Sequence, residues 1–172
     1  MRTITVALGE KTYNIEIAAG LLDQIGAKAR VLSQAVKAAI ISDSNVDPLY
    51  GERLERSLAA SEFEVTRIVF AAGEQSKNLT VLGQVYDELA RAGLTRSDLI
   101  LTLGGGVPGD LGGFAAATFL RGIDFIQVPT SLLAQIDSSV GGKVAIDLPS
   151  GKNLAGSFYQ PKAVFIDPDL LK

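Results

Sequence analysis

The sequence predicts an α/β fold in which a mainly parallel β-sheet is covered by helices on both faces. Short, continuously apolar segments such as residues 99–103 alternate with longer segments of helical periodicity such as residues 79–92. Uniformly apolar strands are typical of sheets buried on both faces, and a helix after each strand supplies that cover. No low-complexity linker interrupts the 172 residues, so we expect one domain.

The composition argues against several kinds of function. The net charge is −3, and the Lys and Arg residues form no run that would bind nucleic acid. No apolar run approaches the ~20 residues that a membrane span needs, and no signal peptide is recognisable, so a cytoplasmic location is expected. The chain contains neither His nor Cys, so no metal site is predicted within it. Any general acid or base must be Asp, Glu, Lys, Tyr or water.

The first 60 residues predict a hairpin followed by one strand and two helices. In chain order, these are strands over 3–8 and 13–17, a helix over about 21–32, a strand over 38–42 and a helix over about 48–60. Apolar residues of the first helix form one stripe, from Leu21 to Leu32. Pro48 lies close to the first turn of the second helix, where proline is tolerated.

The remaining sequence repeats the strand–helix pattern. It predicts a strand over 65–70, a loop over 73–78, a helix over 79–92, a strand over 99–103, a helix over about 108–120, a strand over 125–128, a short helix from 131, and two short strands, 144–146 and 163–166, around a glycine-rich turn. Together with the hairpin, this alternation is Rossmann-like.

A glycine-rich loop follows the strand over residues 99–103. Residues 104–110 read Gly-Gly-Gly-Val-Pro-Gly-Asp and open a helix, with Pro108 expected at its first position. A glycine loop at the positive end of a helix favours a bound phosphate over a tight turn packed under the sheet. The match to G-x-G-x-x-G is not the dinucleotide fingerprint, because Asp124 opens the next strand where an acidic residue should end it.

Asp43 ends the strand over residues 38–42 and has two interpretations. A carboxylate at that place can hold ribose hydroxyls. It can also cap the helix segment that begins near Val46.

A second polar cluster occupies residues 129–153. Two Gly-Lys pairs place Lys143 and Lys152 beside flexible backbone, which suits an oxyanion or a phosphorylated substrate. Neither lysine completes a Walker A motif. The alternative is a solvated loop rich in turn-forming residues.

Four blocks of the sequence form a recognisable set. They are Gly-Glu-Gln-Ser-Lys at 73–77, the loop at 104–110 with Gly-Phe-Ala-Ala-Ala-Thr at 113–118 and Arg-Gly at 121–122, the stretch Pro-Thr-Ser-Leu-Leu-Ala-Gln-Ile-Asp-Ser-Ser-Val-Gly-Gly-Lys at 129–143, and Gly-Lys-Asn-Leu at 151–154. With these blocks the sequence resembles the 3-dehydroquinate synthase family. These blocks occur in family order and span nearly the whole chain. Pro108 stands where the family usually has an aliphatic residue.

The resemblance implies an NAD site and a substrate site. The residues implied for the cofactor are Asp43 and Asn45 at the adenosine ribose, Glu74 and Lys77 on the next loop, Gly105, Gly106 and Val107 at the pyrophosphate, Asp110 on the nicotinamide side, and Thr130 and Ser131. The residues implied to face the substrate, as the catalytic set, are Asp137, Lys143, Lys152 and Asn153.

The resemblance also implies a reaction and a missing half. The family eliminates phosphate from 3-deoxy-D-arabino-heptulosonate 7-phosphate and closes a carbocycle, with NAD oxidising a ring hydroxyl and returning the hydride. We therefore expect residues 1–172 to be the NAD-binding N-terminal domain, inactive alone. A helical C-terminal domain, absent here, would carry the zinc or cobalt. The expected partners are NAD and an anionic sugar phosphate, with a homodimer as an option, and neither nucleic acid nor membrane.

The sequence is also compatible with three rival functions. A cyclase that makes 2-deoxy-scyllo-inosose or a valiolone would keep nearly all the NAD contacts. A metal-dependent polyol dehydrogenase fits the Asp-Ser-Ser-Val-Gly-Gly-Lys stretch at 137–143 less well. A nucleotide-binding module without catalysis is the third alternative.

Overall fold

A computed structural model describes residues 1–171 and contains one large sheet flanked by helices. The nine strands are β1 Arg2–Val6, β2 Tyr13–Ile17, β3 Lys37–Asp43, β4 Glu64–Phe70, β5 Leu99–Gly104, β6 Asp124–Pro129, β7 Lys143–Leu148, β8 Gly151–Phe158 and β9 Ala163–Ile166. The four α-helices are α1 Ile25–Leu32, α2 Glu52–Ala59, α3 Leu79–Arg91 and α4 Gly106–Thr118. Shorter helical turns connect them, including Asp47–Gly51 before α2 and Ala134–Ser138 after β6.

Seven strands form the large sheet in the order β1-β2-β9-β6-β5-β3-β4. Every pairing is parallel except the N-terminal hairpin of β1 and β2, as the sequence predicts. The chain passes from β3 to β4 on one side and then crosses back to place β5 on the other side of β3. In open α/β sheets such a change of direction marks the ligand crevice, which by this strand order lies beyond the carboxyl ends of β3 and β5.

The two faces of the sheet are covered by different helices. Helices α1 and α2 pack on one face through buried Ile25 and Leu54, whereas α3 and α4 pack on the other through buried Val85 and Leu111. Residues that alternate along β3 serve the two cores in turn, since Ile40 belongs to the first and Ile41 to the second. This alternation explains why the strand is apolar without interruption.

Helix α4 packs closely on the sheet because glycine and alanine residues lie beside Leu111 on its buried face. A Cβ on Gly112 would lie 2.6 Å from the Thr102 side chain on β5. A Cβ on Gly113 would lie 2.4 Å from the Val144 side chain on β7. The helix is therefore held between the large sheet and a separate two-stranded sheet formed by β7 and β8.

The C-terminal part differs from the sequence prediction. The predicted strands over 144–146 and 163–166 are both present, within β7 and as β9, but a further strand, β8, lies between them. Strand β7 pairs with β8, and β9 inserts between β2 and β6. Strand β8 is unpredicted because its sequence, Gly-Lys-Asn-Leu-Ala-Gly-Ser-Phe, is mostly exposed and lacks a buried alternating face. Lys172 lies outside the described residues.

The predicted start of α4, with Pro108 at the first position, is also wrong. The helix begins at Gly106, so Pro108 is its third residue and not its first. The missing N–H of Pro108 still costs nothing there, because the first four amides of a helix have no partner within it. Its ring packs on the loop: a Cβ on Gly104 would lie 2.5 Å from the Pro108 ring, and Gly104 has a φ of 155°. Only glycine fits this position.

Candidate functional site

Polar side chains and glycines gather at the carboxyl edge of the sheet, around the crevice between β3 and β5. Because Ser42 pairs with Leu103 in parallel register, Asp43 and the glycine loop follow directly at adjacent strand ends. Gly104 pairs with Pro129, so Thr130 and Ser131 lie beside the same loop. The Thr130 amide donates to the Gly104 carbonyl at 2.9 Å. The structure therefore places Asp43, the glycine loop, Thr130 and Ser131, all of them predicted cofactor residues, at neighbouring strand ends.

The glycine loop leaves room for a ligand. Gly105 occupies the N-cap of α4 and has no side chain to accept from the first-turn amides, so these donors remain for another acceptor. A Cβ on Gly105 would lie 3.4 Å from the Ser131 hydroxyl, and a Cβ on Gly106 would lie 3.6 Å from the Ser138 hydroxyl. A cradle of amides and hydroxyls at the positive end of a 13-residue helix suits a pyrophosphate.

Asp43 has a structural role that the geometry defines. Its Oδ1 accepts from the amides of Asn45 and Val46 at 2.9 and 3.0 Å. This is the local capping role that the sequence leaves open, and it holds the turn in which exposed Asn45 lies. Asp43 itself is 8% exposed at the end of β3. Both capping bonds go to the same carboxylate oxygen, Oδ1.

Loop 73–78 contains a buried lysine. The Lys77 side chain is 5% exposed, and its ammonium donates to Asp110 Oδ2 at 3.0 Å and to Asn153 Oδ1 at 2.7 Å. Glu74 and Asp147 carboxylates lie 3.6 and 3.9 Å from the same nitrogen. The sequence separates these residues by up to 76 positions, and only the fold joins them.

The carboxyl group of Asp110 sits where burial and Lys77 oppose each other. Burial raises the pKa of Asp110 above its ordinary value, and the hydrogen bond and charge of Lys77 act against that rise. Burial also acts to lower the pKa of Lys77. The bond to Asp110 and the surrounding carboxylates outweigh it, so the pKa of Lys77 is raised and the ammonium stays charged.

A cleft of about 460 Å³ opens between α4, the β7–β8 hairpin and the turn Ala134–Ser138. We call it the hairpin cleft. Its polar lining consists of Asp110, Asp137, Ser138, Lys143, Asn153 and Ser157. The Lys143 ammonium lies 3.5 Å from Asp137. Three of the four residues proposed to face a substrate therefore share one cleft.

Lys152, the fourth, is placed differently. It does not line the hairpin cleft, and its ammonium bonds to Glu74 at 3.2 Å. Its side chain is 72% exposed, so it can move at modest cost.

Asp147 belongs to this site although its sequence gave no signal of it. Its backbone amide donates to the Lys77 carbonyl at 2.8 Å, and its Oδ1 accepts from the backbone amide of Asn153 at 2.8 Å.

Within residues 1–171, no three His, Cys, Asp or Glu side chains are grouped as metal ligands. The same part of the chain has no helix long and apolar enough to cross a membrane.

The fold and this edge define a Rossmann-like α/β domain with a ligand crevice beside a second polar cleft. The family profile of the 3-dehydroquinate synthase N-terminal domain matches residues 67–172. The chain belongs to the 3-dehydroquinate synthase family.

Individual relatives agree with this assignment. The 3-dehydroquinate synthase of Clostridium acetobutylicum is 56% identical over 172 residues, which are 100% of this chain and 48% of that protein. The 3-dehydroquinate synthase of Enterococcus faecalis V583 is 52% identical over 98% of this chain and 47% of its own length. The chain thus spans about half the length of the curated relatives that it matches.

Solved structures show the same fold. A 2-deoxy-scyllo-inosose synthase complexed with carbaglucose-6-phosphate, NAD⁺ and Co²⁺ superposes with a TM-score of 0.91 at 30% identity, over 99% of this chain and 47% of that one. A 2-epi-5-epi-valiolone synthase from Streptomyces hygroscopicus subsp. jinggangensis, with NAD⁺ and Zn²⁺ bound, gives 0.82 at 30% identity, over 96% and 45%. Glycerol dehydrogenase from Schizosaccharomyces pombe, at 22% identity and 0.71 over 91% and 37%, shares the fold.

Proposed function

We propose that this chain is the NAD-binding half of a 3-dehydroquinate synthase. Its partners would be NAD and an anionic sugar phosphate. The observation that carries the proposal is the position of Asp110, which follows the glycine loop and also lines the hairpin cleft. A cofactor on the glycine loop and a substrate in the cleft would then meet at one side chain. Bound NAD would supply the acceptor for a hydride from the substrate.

The cofactor would lie along the carboxyl edge of the sheet. Amides of Gly105, Gly106 and Val107 at the start of α4 would bind the pyrophosphate, because they have no capping side chain. Asp43 and Asn45 would hold the adenosine ribose, and Thr130 and Ser131 would close the cradle on the β6 side. Glu74 would contact the cofactor from loop 73–78, and Lys77 would act there mainly through Asp110, since protein groups already surround its ammonium.

The substrate would lie in the hairpin cleft. Lys143 is a mobile cation with its side chain 60% exposed, and Asn153 offers an amide beside it. Both suit a phosphate or carboxylate. Asp137 would keep Lys143 over the cleft until an anion replaces it, and Lys152 would reach the ligand from the rim after leaving Glu74.

A second half of the protein would complete the active site. Relatives are about twice as long, and the cyclase structures contain Co²⁺ or Zn²⁺. Residues 1–171 contain no group of three His, Cys, Asp or Glu side chains that could hold a metal, which supports a metal site outside them. We propose that it is held by a C-terminal domain, and that residues 1–172 form one N-terminal domain.

The rival cyclases are the second candidate. Solved 2-deoxy-scyllo-inosose and valiolone synthases are 30% identical to this chain, whereas curated 3-dehydroquinate synthases reach 51–56%. The higher identity favours the 3-dehydroquinate reaction.

Two assays on the 172-residue chain test the proposal. Calorimetry should detect NAD binding, and a variant with Gly105→Val should lose it, because a branched side chain would fill the cradle facing Ser131. Phosphate release from the heptulosonate phosphate, with zinc added, should stay at background. Failure of the wild-type chain to bind NAD, or turnover by this chain alone, would contradict the proposal.

A further inference from the structure

Lys77 joins three separate elements through its ammonium group and its backbone carbonyl. It lies on loop 73–78 after β4, and it donates to Asp110 on α4 and to Asn153 on β8. Its carbonyl accepts from the amide of Asp147 on β7. Both strands of the hairpin are therefore bonded to this one residue. A lysine that is 5% exposed tolerates burial only because acceptors of this kind surround it.

The bond to Asn153 decides which way its side-chain amide faces. An ammonium group has donors and no acceptor, so it must meet the amide oxygen, Oδ1. The NH₂ group, a double donor, is then the part left for a ligand in the hairpin cleft that Asn153 lines. Asn153 has a φ of 56°, a left-handed conformation that Asn tolerates better than most residues. Its backbone N–H is bonded to Asp147 Oδ1, so the side-chain NH₂ is the donor that Asn153 can present to an anion.

The bond from Lys77 to Asp110 favours the charged form of that carboxyl group. Asp110 lies in the second turn of α4 beside the glycine loop, and burial alone would favour its neutral form. A cation at 3.0 Å favours the carboxylate. Lys77 therefore keeps an ionised acceptor at the junction of the crevice and the hairpin cleft.

We propose that Lys77 is a positioning residue that serves both sites: it holds Asp110 ionised beside the cofactor crevice and turns the Asn153 amide so that its NH₂ faces the hairpin cleft. This inference rests on the proposed function for the ligands that the two groups would meet. The effects of Lys77 on Asp110 and Asn153 belong to the free chain and can be tested without any ligand.

The first experiment measures the free chain by NMR. Wild type is compared with Lys77→Met, which removes the charge, and Lys77→Arg, which restores it. The Asp110 carboxyl pKa is followed by ¹³C shifts, and the Asn153 side-chain NH₂ by ¹H–¹⁵N signals. Lys77→Met should raise the pKa of Asp110 by about one unit or more, since it removes a charge-assisted bond. It should also shift and broaden the Asn153 NH₂ signals, and Lys77→Arg should reverse most of both changes.

The second experiment measures ligand affinities. NAD affinity is determined by calorimetry and inorganic phosphate affinity by shift titration. Lys77→Met should weaken both by about fivefold or more, whereas Asn153→Ala should weaken phosphate binding alone. Lys37→Met is the matched control. Lys37 donates to the carbonyls of Ala92 and Gly93 at the opposite edge of the sheet, so its loss should leave both affinities unchanged.

The outcomes separate this inference from the proposed function. An unchanged Asp110 pKa and unchanged Asn153 signals in folded Lys77→Met overturn the role of Lys77, whatever the chain binds. Lys77→Arg behaving like Lys77→Met overturns it as well, because the cation would then be irrelevant. Failure of wild type to bind NAD counts against the proposed function only. Should Lys77→Met not fold, Lys77→Gln retains a donor without charge, and its Asp110 pKa must still rise.

Discussion

The side chain of Thr102 lies only 2.6 Å from the position that a Cβ on Gly112 would occupy. Thr102 is 1% exposed on β5, and a β-branched side chain in a strand has little freedom to move away. The glycine therefore sets the depth at which α4 packs on the sheet. That depth in turn places the start of the helix, the glycine loop and Asp110.

Gly112→Ala should destabilise the fold by about 1–3 kcal/mol, the usual cost of overpacking a core. Gly83→Ala on α3 is the matched control, because nothing lies within 4 Å of its added Cβ. Replacing that helical glycine should stabilise the fold by about 0.5–1 kcal/mol. Urea unfolding of both variants gives the comparison, and equal effects would show that close packing is not the reason for Gly112.

Asp43 can be tested by separating its charge from its capping bonds. Asp43→Asn retains an Oδ1 acceptor for the amides of Asn45 and Val46, so the fold should lose less than about 1 kcal/mol. Binding of NAD should weaken by about 1–3 kcal/mol if the carboxylate holds the ribose. Asp43→Ala should lose both stability and affinity. Stability lost without any change in NAD affinity would reject the ribose contact.

Asp98 should make stability depend on acid pH. Burial acts to raise the pKa of Asp98, but bonds from the Lys37 amide and from the Thr95 amide and hydroxyl outweigh it, so the pKa is lowered. A depressed pKa gives stability that is present above the unfolded value of about 3.9 and is lost as pH falls through the lower folded value. Asp98→Asn should therefore cost about 1–3 kcal/mol at pH 7 and lose this acid dependence. Urea midpoints from pH 7 to pH 2 check it, and parallel curves for the two proteins would count against it.

The two exposed lysines should differ in anion binding. Phosphate should bind the chain weakly, on the order of millimolar, because the cleft is open to water. Lys143→Ala should abolish most of that binding, because Lys143 lines the hairpin cleft. Lys152→Ala should have the smaller effect, because the Lys152 ammonium is bonded to Glu74 outside the cleft. Phosphate-induced shifts should cluster at residues 137–153 and persist with NAD bound. Their loss on saturation with NAD would mean that the lysines serve the cofactor.

Much of the fold could be predicted because its signals are local. The uniformly apolar strands β3, β5 and β6 reflect burial on both faces, and Gly93, with a φ of 65°, ends α3 at the expected place. Strand β8 escaped prediction because it is exposed and rich in small residues. The order of strands in the sheet could not be predicted either, because β9 lies between β2 and β6, which are distant from each other in the chain.

The candidate site was also predictable only where its signals are local. The glycine loop and the cluster around Lys143 could be predicted because their glycines and polar residues are neighbours in the chain. The burial of Lys77 could not be predicted, because the acceptors that stabilise its buried ammonium come from α4, β7 and β8. The role of Asp147 could not be predicted either. Two residues before Pro149, an Asp is typical of an ordinary turn.

Crystals of the 172-residue chain grown with NAD and inorganic phosphate give the most direct test of the central claim. The account predicts NAD along the carboxyl edge of the sheet, with pyrophosphate oxygens accepting from the amides of Gly105 and Gly106 and a ribose beside Asp43. A phosphate should occupy the hairpin cleft near Lys143 and Asn153. Ordered NAD at any other surface, or an empty glycine loop at an NAD concentration far above the calorimetric Kd, would contradict the account.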